Sequence, residues 1–231
     1  MKTIGLIGGM SWESTAEYYR IINEAVKGKL GGSHSAKIVM YSVDFAEVRK
    51  CHLEGNWDEA TNLMIDAARK VERGGADFVL ICTNTMHKMA EEVQANINIP
   101  LLHIADVTAE KIISLDLKKV GLLGTKFTME QDFYKKRLED KYSFDIVIPD
   151  EADRQVIDNL IFNELCLGEI KDSSREQLKI IMKNLADNGA QGIILGCTEL
   201  PLLVKQEDCP VPLFDTTAIH AEAAVEYALK D

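Results

Sequence analysis

The sequence predicts an α/β fold of two pseudo-symmetric halves, each built on a parallel sheet. Short apolar runs rich in β-branched residues alternate with longer stretches of mixed charge. Strands buried on both faces and joined by amphipathic helices form parallel sheets. Repetition is the second observation. GLIGG at 5–9 returns as GLLGT at 121–125, 116 residues later, and GADFVLICTNT at 75–85 matches GAQGIILGCTE at 189–199, 114 residues later and without a gap. A weaker echo sets Pro100-Leu101-Leu102 against Pro212-Leu213-Phe214. Three echoes in one order indicate a duplicated unit rather than chance likeness between apolar strands.

Each element has its own warrant. The first strand, 3–7, is an Ile/Leu run that stops at Gly8-Gly9, a tight-turn pair. A helix over 15–27 follows, then a strand over 36–43 and a helix over 57–73. That helix stops at Gly74-Gly75 and hands over to a buried strand at 78–81, which opens into a polar turn. A helix over 86–96 and a strand over 101–104 complete this half. The second half repeats the theme, with strands at 119–123, 145–148 and 192–195 and helices at 129–141, 151–167, 174–188 and 217–230. Glu17-Tyr18-Tyr19 is echoed by Asp132-Phe133-Tyr134. The domains expected are 1–115 and 116–216.

Composition narrows the function. The chain has 231 residues, 46% hydrophobic and 27% charged, with a formal net charge of −11. That excludes disorder as the main state. It also argues against nucleic acid and anionic membrane as partners, since both need clustered Lys and Arg. No apolar run reaches the roughly 20 residues that span a bilayer. The opening MKTIGLIGGM reads as strand and turn, not as a secretory signal. Five dispersed cysteines suit reduced thiols, so a cytoplasmic location is expected. Their spacing fits no structural zinc site.

Ligands of parallel α/β sheets sit beyond the carboxyl ends of the strands, where helix N-termini supply free amides. Two related halves facing each other would bring two such ends to one cleft. In the gapless alignment Thr83 is the partner of Cys197, whereas Cys82 is the partner of Gly196. Side chains alternate along a strand, so this one-residue offset puts the two cysteines on different faces. Cys82 is accordingly expected in the core.

GLIGGM at 5–10 followed by SWEST, then Cys82-Thr83-Asn84-Thr85-Met86-His87, then Gly196-Cys197-Thr198-Glu199, together resemble the aspartate/glutamate racemase family. These are the PLP-independent amino-acid racemases. The resemblance covers both halves, and the CTNTMH form of the first motif is that of the enterobacterial-type aspartate/glutamate-specific branch. It implies two flavodoxin-like halves with an interdomain cleft, no cofactor, no metal and a homodimer, with the last helix, 217–231, packing on the first half. It implies Thr83 and Cys197 as the catalytic pair, Thr83 standing where the family's first cysteine is usual. Met10, His52, Asn84, Thr85, Glu164, Thr198 and Glu199 are the implied substrate-binding residues. The resemblance also implies a loop after the second strand, here EVRKCH at 47–52, where Arg49 and Lys50 join His52 as candidates for a distal carboxylate, while Glu164 replaces a residue that is often basic in aspartate-handling relatives.

Physical logic supports such a site. Racemisation takes a proton from Cα and returns one to the opposite face, so two proton-transfer groups must flank a planar intermediate. A thiol can be tuned to serve as base or acid, and nearby amides are expected to favour a Cys197 thiolate. Thr83 is a poor base, so Cys197 is expected as the main base and Thr83 as donor or relay. Asn84, Thr85 and Thr198 offer donors to the carboxylate that gathers charge, Met10 and Ser11 line the cleft floor, and His87 is expected to cap or pack at a helix start. Two other readings fit the same residues: a single-cysteine decarboxylase on this scaffold, and an amino-acid-binding protein impaired in catalysis.

Overall fold

The computed structural model describes residues 1–230. They divide into two compact units, Met1–Ile104 with the segment from His220 onward, and Ala105–Ile219. The division follows packing, not the repeat, which would cut the chain at 115/116.

The first unit runs β1 (Ile4–Gly8), α1 (Trp12–Leu30), β2 (Ile38–Ser42), α2 (Phe45–Glu54), α3 (Trp57–Arg73), β3 (Phe78–Ile81), a 3-10 turn at Thr85–Met89 and α4 (Ala90–Ala95). Its sheet has the order β2-β1-β3, with both pairings parallel. Leu101 adds only a single parallel bridge beside Val79, in place of the strand expected over 101–104. β1 and β3 are buried along their whole length, so their alternation separates two cores. Ile7, Val79 and Ile81 pack with Met64, Ala67, Ala68 and Val71 of α3. Ile4, Leu6, Phe78, Leu80 and Cys82 pack with Tyr18, Ile22 and Val26 of α1 and with Ala221, Ala224, Val225 and Ala228 near the chain end.

The segment read as a loop is in fact α2. Asp44 accepts from the Ala46 N–H at 3.0 Å and caps it, and left-handed Gly55 ends it. Only Val48, Cys51 and His52 of that helix are buried. So narrow a stripe leaves little periodicity for a sequence to show.

The second unit contains α5 (Ile104–Ile113), β4 (Lys119–Gly124), α6 (Lys126–Glu130), α7 (Asp132–Tyr142), β5 (Asp145–Val147), α8 (Glu151–Asn163), α9 (Asp172–Asp187), β6 (Ile193–Gly196), α10 (Leu200–Leu203) and β7 (Leu213–Asp215). α11 (Thr216–Leu229) starts here and belongs to the first unit from His220. The sheet order is β5-β4-β6-β7, again parallel. Two expected helices are broken. Gln131 separates α6 from α7, and Glu164 ends α8 before a 3-10 turn at Leu165–Leu167. α5 had no counterpart in the sequence reading. It is held by Asp106, which takes a two-pronged ion pair from Arg137 of α7 at 2.7 and 2.8 Å and a third bond from Lys141 at 2.9 Å.

The repeat is physical down to the register. Gly5 pairs with Val79 as Gly121 pairs with Ile193. Val79 N–H donates to Pro100 O at 2.9 Å, and Ile193 N–H to Pro212 O at the same distance. Both third strands follow a glycine at positive φ, Gly75 at 92° and Gly189 at 91°, a conformation that glycine adopts without strain. Tyr18 and Tyr134, 116 residues apart, are both fully buried, whereas Tyr19 is exposed. The aromatic echo therefore aligns Tyr18, not Tyr19, with Tyr134.

Candidate functional site

Register decides which residues emerge at equivalent strand ends. Ile81 lies beside Ile7 as Leu195 lies beside Leu123. Two residues on, the chain reaches Thr83 in the first unit and Cys197 in the second. Cys82 is fully buried between strand and helices, and burial pushes its thiol far above the usual range. Thr83 is half-buried.

In the first unit Thr83 opens a polar turn. Asn84 and Thr85 are buried at its start, and the His87 N–H closes it on Asn84 O at 3.1 Å. The His87 ring is fixed from both sides. The Ile104 N–H donates to Nε2 at 3.2 Å, so the proton sits on Nδ1, which donates to Thr83 O at 2.7 Å. Met10 is buried in the α3-side core with Met86, and Ser11 caps α1 by accepting from Ser14 N–H at 3.4 Å. Glu13, in the first turn of α1, buries Oε2 with no hydrogen-bond partner. Its position inside SWEST was the only hint of it in the sequence.

His52 sits on α2, 8% exposed. Its Nε2–H donates to Met86 Sδ at 3.2 Å, and its ring lies 5.2 Å from that of Trp57. Burial, with help from the Arg49 charge, pushes its pKa down to about 4. It is neutral near pH 7 and brings a polar edge, not a positive charge. Arg49 is half-buried and Lys50 exposed on the same helix.

In the second unit the chain turns tightly after β6. A Cβ on Gly196 would meet Leu123 O at 2.7 Å, so only glycine lets β6 approach β4 just before Cys197. Cys197, Thr198 and Glu199 are all buried. The Cys197 thiol donates to Glu199 Oε2 at 2.9 Å, and the Thr198 hydroxyl donates to the same oxygen at 3.0 Å. Burial pushes the Cys197 pKa well up, and the Glu199 carboxylate and Cys166 push it further, against a backbone N–H that lowers it. This corrects the expectation of a resting thiolate. Desolvation and an adjacent carboxylate outweigh the amide contribution, and the sulfur rests protonated. The hydroxyl of Thr198, one of the expected donors, is given to Glu199.

Glu164 lies at the end of α8, where Ser174 Oγ donates to Oε2 at 2.6 Å and Lys171 Nζ approaches Oε1 at 3.4 Å. Its charge is compensated locally. Among the described residues no group of three or more His, Cys, Asp or Glu is placed to hold a metal ion, and no helix is long and apolar enough to cross a membrane.

Comparison with known proteins places this architecture. A family profile described as Asp/Glu/Hydantoin racemase matches residues 7–224. The broad specificity amino-acid racemase RacX of Bacillus subtilis (strain 168) is 28% identical over 232 residues, 96% of each chain. A solved structure from Yersinia pestis, described as a candidate Asp/Glu racemase, superposes with a TM-score of 0.92 at 52% identity over the whole of both chains. An aspartate racemase homologue from Pyrococcus horikoshii OT3 does so with a TM-score of 0.86 at 37% identity, again over both whole chains. The chain belongs to the Asp/Glu/hydantoin racemase family of isomerases.

Proposed function

We propose that this protein racemises aspartate, glutamate or a similar short polar amino acid without a cofactor, by proton transfer at Cα between Cys197 and Thr83. One observation carries the reading. Thr83 and Cys197 leave equivalent strand ends in the same register, and Cys197 is hydrogen-bonded to a buried carboxylate. The relatives are named for aspartate, for Asp/Glu or for amino acids broadly, which supports the substrate class.

In this reading Glu199 supplies what a raised thiol lacks. A protonated sulfur cannot abstract a proton, but a carboxylate 2.9 Å away can take the thiol proton as the base is needed. The Cα proton then moves to Sγ, and the electron pair spreads onto the substrate carboxylate oxygens. The Thr83 hydroxyl delivers a proton to the opposite face and is restored by a proton from solvent, while Glu199 releases the proton it took from the thiol to solvent, which returns both groups to their starting state. Thiol and hydroxyl differ greatly as bases, so the two enantiomers exchange at unequal initial rates. The reading also takes the chain as a cytoplasmic homodimer, supported by its dispersed free thiols and the family resemblance.

Cα exchange in deuterated water over L- and D-amino acids tests this. Cys197→Ala should lose exchange by about 1,000-fold or more, Thr83→Ala should lose inversion by about 100-fold, in the span of general acid–base effects, and Cys82→Ala should change little. Equal initial rates from both enantiomers of every substrate, or no exchange at all, would reject it. The resting thiol of Cys197 also favours a second reading, one-face protonation after decarboxylation. Carbon dioxide released from a substituted malonate, without amino-acid exchange, would select that alternative.

A further inference from the structure

His87 belongs to a buried histidine cluster in the first unit that the chemistry above does not use. Its ring centroid lies 4.5 Å from that of His103 and 5.9 Å from that of His220. All three are buried, and they make up three of the five histidines in the chain. His220 has an equally defined tautomer. Its Nε2–H donates to Leu102 O at 2.8 Å, and its Nδ1 accepts from the Tyr18 hydroxyl at 2.9 Å. The cluster thus ties together the turn after β3, the segment 102–104 and the start of the returning chain at His220. Leu102 and Ile104 are the last part of the first unit before the chain leaves it.

We propose that His87 is a positioning residue for Thr83. The warrant is one neutral imidazole holding two backbone groups: its Nδ1–H on Thr83 O at 2.7 Å and its Nε2 under the Ile104 N–H at 3.2 Å. The Thr83 carbonyl lies in a turn between β3 and the 3-10 segment, outside any sheet ladder. Pinning that carbonyl fixes ψ of Thr83 and so the direction in which its Cα–Cβ bond leaves the strand. A hydroxyl that must meet one face of a carbon needs that direction held, since a misplacement of about 1 Å costs on the order of 100-fold in rate. The imidazole reaches across from the following turn to hold it.

The inference rests on the racemase reading and deepens it, so its test has one arm that does not depend on activity. Nitrogen-15 NMR of the imidazoles should show His87 with its proton on Nδ1. A proton on Nε2 would overturn the proposal whatever the protein catalyses. The second arm separates the two faces. An asparagine amide reproduces the Nδ1–H donor, and a glutamine oxygen reproduces the Nε2 acceptor. His87→Ala and His87→Gln should lose inversion by about 100-fold. They should keep deuterium exchange with retention for the enantiomer whose Cα proton faces Cys197. His87→Asn should recover inversion to within about tenfold of the native chain. A merely structural role would lower exchange of both enantiomers together, and Asn would rescue no better than Gln; either result overturns the proposal. Should His87→Ala fail to fold, the Asn and Gln variants decide it between them. A native chain that exchanges no amino acid, with the Nδ1 tautomer present, would instead reject the racemase reading and leave the positioning of the turn standing.

Discussion

Protonation state is the feature on which single residues act. Cys197 and Cys82 are both buried thiols with raised pKa values, yet only Cys197 has a carboxylate in reach. The Glu199 charge both repels a thiolate and offers a place for its proton. Glu199→Gln removes the repulsion and the acceptor together. Alkylation of Cys197 should therefore show its pH inflection at lower pH in Glu199→Gln, while Cα exchange falls about 100-fold. An unshifted inflection would mean that Glu199 does not set the thiol. His52 shows the opposite sense, since burial holds it neutral. In that state it carries no charge to set against a carboxylate.

Elements aim these side chains through backbone approach and capping. β4 and β6 come together at Gly124 and Gly196, where a Cβ on either glycine would meet backbone of the other strand at 2.7–2.8 Å. Gly196→Ala should cost about 1–3 kcal/mol and displace Cys197. Gly28 in α1 has nothing within 4 Å of an added Cβ. Gly28→Ala should stabilise by about 0.4–1 kcal/mol with activity unchanged, because it restricts only the unfolded chain. Urea midpoints read both, and a stable Gly196→Ala would discredit the close-approach argument. α5 depends on its ion pair to α7, with Asp106 and Arg137 both mostly buried. Asp106→Ala should cost about 1–3 kcal/mol, as for hydrogen bonds to charged groups, and expose α5 to proteolysis before the rest of the second unit.

At the scale of the whole molecule, buried neutral histidines link stability to pH. His52 has a pKa near 4 and His220 near 3 when folded, both pushed down from about 6.5 by burial. As pH falls below 6.5 the unfolded chain takes up protons that the folded chain refuses, so stability falls with it. Above 6.5 neither group contributes a slope. At pH 4 the His52 share comes to about 3 kcal/mol. Equilibrium unfolding between pH 7 and pH 4 should show this loss, and His52→Phe should flatten the curve by that amount. An unchanged slope would place the titration elsewhere.

Much of this protein was legible before any coordinates. The duplication, the parallel order and the distinction between Cys82 and Thr83 are local properties, and a gapless repeat carries the register of one copy onto the other. That is why a gapless alignment of 75–85 with 189–199 reproduces the register of β3 beside β1 and of β6 beside β4. α2 and α5 were not legible. α2 buries too few residues to show a stripe, and α5, rich in Ile, Val and Ala, lacks polar contrast. The charge state of the site was not legible either. The carboxylate beside Cys197, the neutral ring of His52 and the two-sided clasp of His87 depend on distances and burial. The sequence by itself determined which side chains stand at each strand end. Only the tertiary structure decided which of them hold a proton, because desolvation is set by chain segments far apart in sequence, and a near neighbour such as Glu199 becomes a partner only when the turn aims its carboxylate at the thiol.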